Sequence, residues 1–422
     1  MKILILGYSS LFKKRILNVL LKNNIKFCIA SKSSVQKEKK AFSWYRSYSF
    51  ALNHSKADLV YISLPNAFHY YWAKKALDKN FHVIVDKPIC ENYSQAKNLI
   101  KIAKRKKKLI AEATFYNYHK QLNQAVKVLN GIENIKLINT NFIIPMPKKN
   151  SFRMSKKLSG GCLMDMSPYA AGTARLLGSG KLLKMHTSVK KNKQGLIISF
   201  NIFCQFEKTY YFGFFCFGGE YKNNMILFSK KKYIELNNVF SPPSNKNMKI
   251  LIKQKNSFYI NKIKKCDVFE NFLKKVRYSL NQKKFDFYYK TILTDAKFRE
   301  KISYKLYNNF LNRELSNLLK KNSAEYLRNF TDEISNCVLF YHSIIKIILD
   351  LIIFLAFLVF LLVYNPAVST SVIAFFSLIS IIYYFSIKNK ILNWAKQGMH
   401  NRKKKIQFIN ESFSAIKYIK IL

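Results

Sequence analysis

The stretch FHVIVDKPICEN, residues 81–92, runs a short apolar strand directly into an acid, a base and a proline: Asp86, Lys87 and Pro88. Proline disfavours helix at the residue before it and carries no N–H, so Lys87 is expected in an extended conformation just past the strand end. Two accounts fit that placement. In the plainer one the strand is closed by a surface ion pair, which contributes little to stability. In the other, the fold brings a ligand to these charges, and the residues on either side must decide.

From the start to about residue 108, short apolar runs (KILILG, KFCIAS, DLVYISLP, HVIVDKP) alternate with helix-length amphipathic segments (SLFKKRILNVLLKNN, FHYYWAKKALDKN, ENYSQAKNLIKIAKRKKK). This alternation predicts an α/β domain with a doubly wound parallel sheet and right-handed crossovers. Ligands bind at the carboxyl ends of the strands in such sheets. Asp86 and Lys87 therefore stand on the expected ligand edge.

A further strand and linking helix follow in LIAEATFYNYHKQLNQAVKVL. The runs IKLINTNFIIP, LIISFNIFCQFEKTYYFGFFCF and NMILFSKKKYIEL then predict a largely antiparallel open sheet with one face covered and one free. The helical segment CDVFENFLKKVRYSLNQ comes next. We expect a first domain over residues 1–115, an α+β open-sheet domain over 116–302 and a different region over 303–422.

That last region holds IIKIILDLIIFLAFLVFLLVY and AVSTSVIAFFSLISIIYYFSI, each long enough to cross a bilayer, over about residues 344–364 and 367–387. Only Asn365 and Pro366 separate them, which predicts an α-helical transmembrane hairpin. Lys/Arg-rich flanks place both outer ends in the cytoplasm. Lys346 and Asp350, one helical turn apart, pair or snorkel at the start of the first span. The beginning, MKILILGYSS, lacks the long apolar core of a signal peptide. The expected location is the cytoplasmic membrane, with the first two domains and the C-terminus in the cytoplasm.

The chain has 73 Lys and Arg against 22 Asp and Glu, a formal net charge of +51 over 422 residues. Clustered cations would suggest nucleic acid. Here the lysines are spread among Asn, Ile, Phe and Tyr along the whole length, so no nucleic-acid partner is expected, and an acidic lipid bilayer is the better match. The seven cysteines lie far apart with no C-x-x-C and no histidine cluster, which predicts neither a metal site nor a disulfide framework.

Gly7 follows the first strand and precedes a helix, where backbone N–H groups and a helix N-terminus would meet a pyrophosphate. The glycine fingerprint is otherwise lost: Ser9 and Phe12 stand where two further glycines belong, and Ser9 and Ser10 offer hydroxyl donors instead. After the second strand no acid is present to hold a ribose 2′-OH. Ser31 and Lys32, with Ser33 and Ser34, would accept a 2′-phosphate. The expected cofactor is NADP or NAD.

YISLPNAFHYYWAKKALDKNFHVIVDKP, followed later by SGGCLMDMSPYAAGTARLLGSG, resembles the Gfo/Idh/MocA oxidoreductases over roughly residues 1 to 300. The resemblance implies a Rossmann domain joined to an open-sheet substrate domain. The family's Glu-Lys-Pro motif falls on Asp86, Lys87 and Pro88. Its acid-led helix start falls on Asp165 to Tyr169, with Ser167 in a glycine place and Tyr169 in a histidine place, as in members acting on keto sugars.

The implied reaction is hydride transfer between nicotinamide C4 and a sugar carbon. The resemblance gives Lys87 the developing oxyanion, Tyr169 the proton, with its phenol acidified by the lysine and the cofactor, and Asp165 the orienting of substrate or the tuning of Lys87. Pro88 fixes the direction of the lysine. Pro65, Asn66 and His69 are implied near the cofactor. Asn66 also reads as the N-cap of the next helix. His119 fits either the cleft or the surface. A sugar or nucleotide-sugar substrate and a homo-oligomer formed through the open sheet complete what the resemblance implies.

Residues 303–422 resemble part of the transmembrane region of bacterial ABC exporters of the lipid-linked oligosaccharide flippase type, in NSAEYLRNFTDEIS and FINESFSAIKYIKIL. The text nearest a phosphate loop, ARLLGSGKLL, has Arg175 for its first glycine and Leu182 for its Ser or Thr, so the chain is not expected to drive transport. Together these readings predict a membrane-tethered NAD(P)-dependent sugar oxidoreductase of surface-glycan biosynthesis. The alternative is a non-enzymatic, transporter-related membrane component whose nucleotide-binding module has degenerated.

Overall fold

In a computed structural model that describes residues 1–32, 41–311 and 350, the apolar runs of the first zone pair as one parallel sheet. Its elements in chain order are β1 (Ile3–Leu6), α1 (residues 10–22), β2 (Phe27–Ala30), β3 (Ser43–Tyr45), α2 (Tyr48–His54), β4 (Leu59–Ile62), α3 (His69–Asp78), β5 (His82–Val85), α4 (Tyr93–Arg105) and β6 (Ile110–Glu112). The strand order is β3-β2-β1-β4-β5-β6, with every neighbour parallel. All residues of β1, β2 and β4 are buried, as expected where helices cover both faces of a parallel sheet. The order reverses between β1 and β4, which opens a crevice at their carboxyl ends. Edge strand β3 and helix α2 have no clear periodic signature in the sequence, since three residues and seven are too few to show one.

The second zone supplies α5 (Lys120–Val128), β7 (Leu137–Ile144), α6 (Cys162–Leu177), β8 (Leu182–Lys191), β9 (Ile197–Phe206), β10 (Tyr210–Phe217), β11 (Lys222–Phe228), β12 (Lys232–Asn237), β13 (Met248–Gln254) and β14 (Ser257–Ile263). These eight strands form one sheet, β14-β13-β12-β11-β7-β10-β9-β8. Only the β7–β10 pairing is parallel. Alternation sets its two faces: in β10, Tyr211, Phe215 and Phe217 are buried, while Tyr210, Phe212 and Phe214 are exposed. Phe200 and Phe215 stack inside at 4.7 Å.

The chain then returns to the first domain. Asp267 caps α7 (Val268–Gln282) by accepting from the N–H groups of Phe269 and Glu270. Phe269, Phe272, Leu273 and Val276 of α7 pack in the core of the parallel sheet, as does the first half of α8 (Asp286–Leu311). The described residues up to Leu311 fall within one compact unit. Of the two apolar spans, about 344–364 and 367–387, only Asp350 is described, in helical conformation; Lys346 and the remainder lie outside the described residues. Among the described residues no helix is long and apolar enough to cross a membrane.

Candidate active site

The crevice beside β1 and β4 widens into a cavity of about 590 Å³, walled on one side by the parallel sheet's carboxyl edge and on the other by α6 and the loops of the second sheet. Gly7 turns out of β1 with φ +100°, and its N–H donates to Ala30 O at 2.9 Å. A Cβ here would lie 2.2 Å from Ser63 O. Only glycine fits so close an approach. Ser9 begins α1: its Oγ accepts from Phe12 N at 3.0 Å and shares a 2.7 Å hydrogen bond with Ser63 Oγ. The serine in a glycine place therefore serves as a helix cap. Ser10 is exposed and lines the cavity, as the first-turn N–H groups of α1 open toward it. A pyrophosphate fits this turn, both through the glycine approach and through the helix N-terminus.

Ser31 is buried at the end of β2, where its N–H donates to Tyr45 O at 3.0 Å. Lys32 is exposed, with Nζ 5.8 Å from the Tyr48 ring centroid. Tyr48 lines the cavity whereas Ser31 and Lys32 stand just outside it; Ser33 and Ser34 lie outside the described residues.

Pro65 and Asn66 line the cavity from the end of β4. Asn66 is not the N-cap expected of it: the residue at that place is Pro65, and Asn66 Nδ2 donates across the cleft to Ser159 O at 2.9 Å. His69 is fully buried and absent from the cavity wall, contrary to the implied cofactor contact. Its ring nitrogens each lie 2.7 Å from a carbonyl, of Pro88 and of Leu64, so the ring clips the turn after β4 to the turn after β5. His119 is neither in the cleft nor on the surface. It is buried, and its Nδ1 accepts from Gln121 N at 3.2 Å as the cap of α5.

The Asp86–Lys87 surface pair does not form. Asp86 accepts from Ser63 Oγ at 2.6 Å and from the Tyr61 hydroxyl, both on the neighbouring strand's line. Burial raises its pKa, and the two hydroxyl donors only partly offset that. Lys87, with a cis peptide bond to Pro88, reaches the opposite wall. Its Nζ donates to both Oδ1 and the backbone O of Asp165, each at 2.6 Å. Asp165 lies in the first turn of α6, after the Gly160–Gly161 bend, where a helix N-terminus favours an anion.

Arg153, which the sequence reading passed over, occupies the other carboxylate oxygen: Nε donates to Asp165 Oδ2 at 2.9 Å. Nothing in its text marks it, since Lys148, Lys149, Lys156 and Lys157 surround it in an equally basic loop. Burial pushes the Asp165 carboxyl up, but Lys87 and Arg153 overcome this and hold it below the usual carboxylate value. Burial likewise pushes Lys87 down, and the Asp165 charge reverses it, leaving the ammonium pKa raised. The pair is ionised across the neutral range.

Tyr169 presents its ring to Lys87 Nζ at 4.8 Å and packs against Tyr116, Phe142 and Phe240 with centroids 5.0–5.6 Å away. Lys87 by itself does not acidify the Tyr169 phenol. Burial raises the Tyr169 pKa by more than the Lys87 charge lowers it, because the aromatic surround disfavours a phenolate.

Residues 1–114 match the family model described as the oxidoreductase family with NAD-binding Rossmann fold, Gfo/Idh/MocA. That match falls on the parallel-sheet domain. The chain is similar to D-xylose 1-dehydrogenase (NADP(+)) 2 of Haloferax volcanii, 29% identical over 134 residues, covering 31% of this chain and 41% of the relative. It is also similar to dTDP-3,4-didehydro-2,6-dideoxy-alpha-D-glucose 3-reductase of Saccharopolyspora spinosa, 27% identical over 213 residues, covering 49% and 64%. The matching part spans less than two thirds of either relative's own length. Among solved structures, a 3-ketoreductase from Actinomadura kijaniata in complex with TDP-benzene and NADP, in an open conformation, aligns over 72% of this chain and 98% of its own with a TM-score of 0.67 and 19% identity. An aldose-aldose oxidoreductase from Caulobacter crescentus aligns over 73% and 98% with a TM-score of 0.64 and 14% identity. At these identities the likeness is one of fold. The exporter-like reading of residues 303–422 falls, beyond Leu311 and apart from Asp350, outside the described residues.

Proposed function

We propose that this chain is an NAD(P)-dependent oxidoreductase that interconverts a ketone and an alcohol on a sugar or nucleotide-sugar. The observation that carries this reading is the meeting of Lys87, from the same sheet edge as the Gly7 turn, with Asp165 and Tyr169 of α6 across one cavity. The dinucleotide supplies the hydride when bound. Gly7 and Ser10 would hold its pyrophosphate and Pro65 and Asn66 would flank it, while Lys32 beside Ser31, with no acid at that strand end, favours NADP over NAD.

Hydride addition to a carbonyl carbon leaves negative charge on the oxygen. Asp165 holds Lys87 through two contacts, and the ammonium, which also bonds to the Tyr169 phenol, would stabilise that charge. Tyr169, its pKa raised, keeps its proton at neutral pH and donates it to the alkoxide as a general acid. Asp165 acts through Lys87, fixing the position and charge of the ammonium. The 3-keto nucleotide-sugars acted on by the similar reductases support a substrate of that class here.

On sequence alone, the two apolar spans of residues 303–422 support a tether in the cytoplasmic membrane, and the exporter-like segments NSAEYLRNFTDEIS and FINESFSAIKYIKIL support an exporter-derived tail and, with it, a role in surface-glycan biosynthesis. The exposed aromatic face of the second sheet supports a homo-oligomer. Titration of the full chain with NADPH and NADH, followed by a dTDP-linked 3-keto sugar, should quench or shift nicotinamide fluorescence and then consume the reduced cofactor. No change with either dinucleotide overturns the reading. Deleting residues 344–385 should move the chain from membrane to soluble fractions without abolishing dinucleotide binding.

A further inference from the structure

Helix α8 runs from one core into the other: Tyr288, Tyr289, Ile292 and Ala296 are buried in the first, and Ile302 in the second. At the crossing it carries two buried ions, Asp295 and Arg299, 2% and 6% exposed. Asp295 accepts from Arg175 Nε at 2.7 Å and from Nη2 at 3.2 Å, a two-pronged pair with α6. Arg299 Nη1 donates to Cys90 O at 3.1 Å, and Glu112 at the end of β6 accepts from Ile89 N at 2.8 Å. Ile89 and Cys90 belong to the turn that carries Lys87, and Arg175 to the helix that carries Asp165. The Lys87–Asp165 pair in the cleft thus has a second closure behind it, through α8.

We propose that Asp295 and Arg299 are positioning residues for Lys87, joining its turn to α6 through α8; only the consequence for turnover rests on the oxidoreductase reading above. A guanidinium–carboxylate fork fixes direction as well as distance, and a buried charge deprived of its partner pulls away or draws in water. Three charged groups face Asp295: Arg175 from α6, Glu112 from β6 and Arg299 from its own helix, with Tyr116 alongside. Burial raises the Asp295 pKa to about 6 against the lowering by Arg175. Below that pH the carboxyl is neutral and the fork loosens. Because the folded value lies above the unfolded one, this group's contribution to stability is present at low pH and is lost as pH rises through about 6. Acidification therefore frees the lysine turn without unfolding the protein through this residue.

Hydrogen–deuterium exchange of the Lys87–Glu91 segment in the full chain, corrected for intrinsic rates, reads the turn without any substrate. Arg299→Met and Asp295→Asn should speed it by about tenfold at neutral pH, Arg299→Lys should restore part of the protection, and kcat should fall while KM for the dinucleotide holds within about twofold. In the unaltered chain protection should drop between about pH 7 and pH 5, and Asp295→Asn should erase that pH dependence. A folded Arg299→Met chain with unchanged exchange overturns the proposal. Should that variant not fold, unchanged exchange in a folded Asp295→Asn chain overturns it instead. Exchange that changes as expected in a chain that binds no dinucleotide would sink the oxidoreductase reading and leave the positioning role standing.

Discussion

The corner at Gly7 and the junction at Lys87 face the same cavity but are held in different ways. At Gly7 the geometry is local: a positive φ, a missing Cβ and a helix capped by Ser9 two residues on. At Lys87 it is long-range, since the ammonium is fixed by Asp165, 78 residues away, and that carboxylate by Arg153 in a third segment. The difference teaches which substitutions should damage binding and which should damage chemistry. A local corner fails by steric exclusion of the ligand, and a convergent junction by loss of charge placement.

Four measurements would break or sharpen that contrast. Lys87→Ala should lower turnover by about 10²–10³-fold, the scale of a lost oxyanion donor, while fluorescence titration finds dinucleotide affinity nearly unchanged. Unaltered turnover would return Asp86, Lys87 and Pro88 to the role of a strand terminator. Asp165→Ala leaves the largely buried Lys87 ammonium without its carboxylate, while the 40% exposed Arg153 is free to turn to solvent, and thermal or denaturant unfolding should register a loss of about 3 kcal/mol. A loss below about 1 kcal/mol would mean the junction is not the buried pair described.

Gly7→Ala sets a Cβ against Ser63 O and strains a positive φ, a cost of about 1–3 kcal/mol for the backbone alone. Dinucleotide affinity should drop about tenfold or more, with kcat at saturation little changed; a kcat defect at full affinity would blur the distinction between corner and junction. The smallest effect concerns pH. Burial lowers both His82 and His119 to about 4, and each accepts a backbone N–H in its neutral form. Their stabilisation is present above the ordinary histidine pKa and is lost as pH falls toward 4. The melting temperature should decline by a few degrees between about pH 7 and pH 5, less in His82→Gln, and a flat profile would contradict these assignments.

Much of the first domain was legible because its signals are short-range. Apolar runs with period, a glycine at a strand end and a proline after a lysine each act within a few residues. Ser9 shows the limit of such reading: a fingerprint departure that looked like decay is a helix cap. The family-like motifs named Lys87, Asp165 and Tyr169, yet not the state of the tyrosine, whose burial outweighs the nearby ammonium. The bond from Asn66 to a carbonyl across the cleft, in place of the expected N-cap, and the two carbonyls that hold His69 have no sequence signature.

By itself, then, the sequence determined the parallel sheet, the ligand edge and the residue types offered there, since propensity and patterning work on neighbours along the chain. Tertiary structure alone decided that Asp86 turns to Tyr61 and Ser63 while Lys87 crosses to Asp165, that Arg153 completes the carboxylate, and that α8 ties the two walls together. Those choices depend on desolvation and on charges brought close from distant segments, and both exist only once the chain has folded.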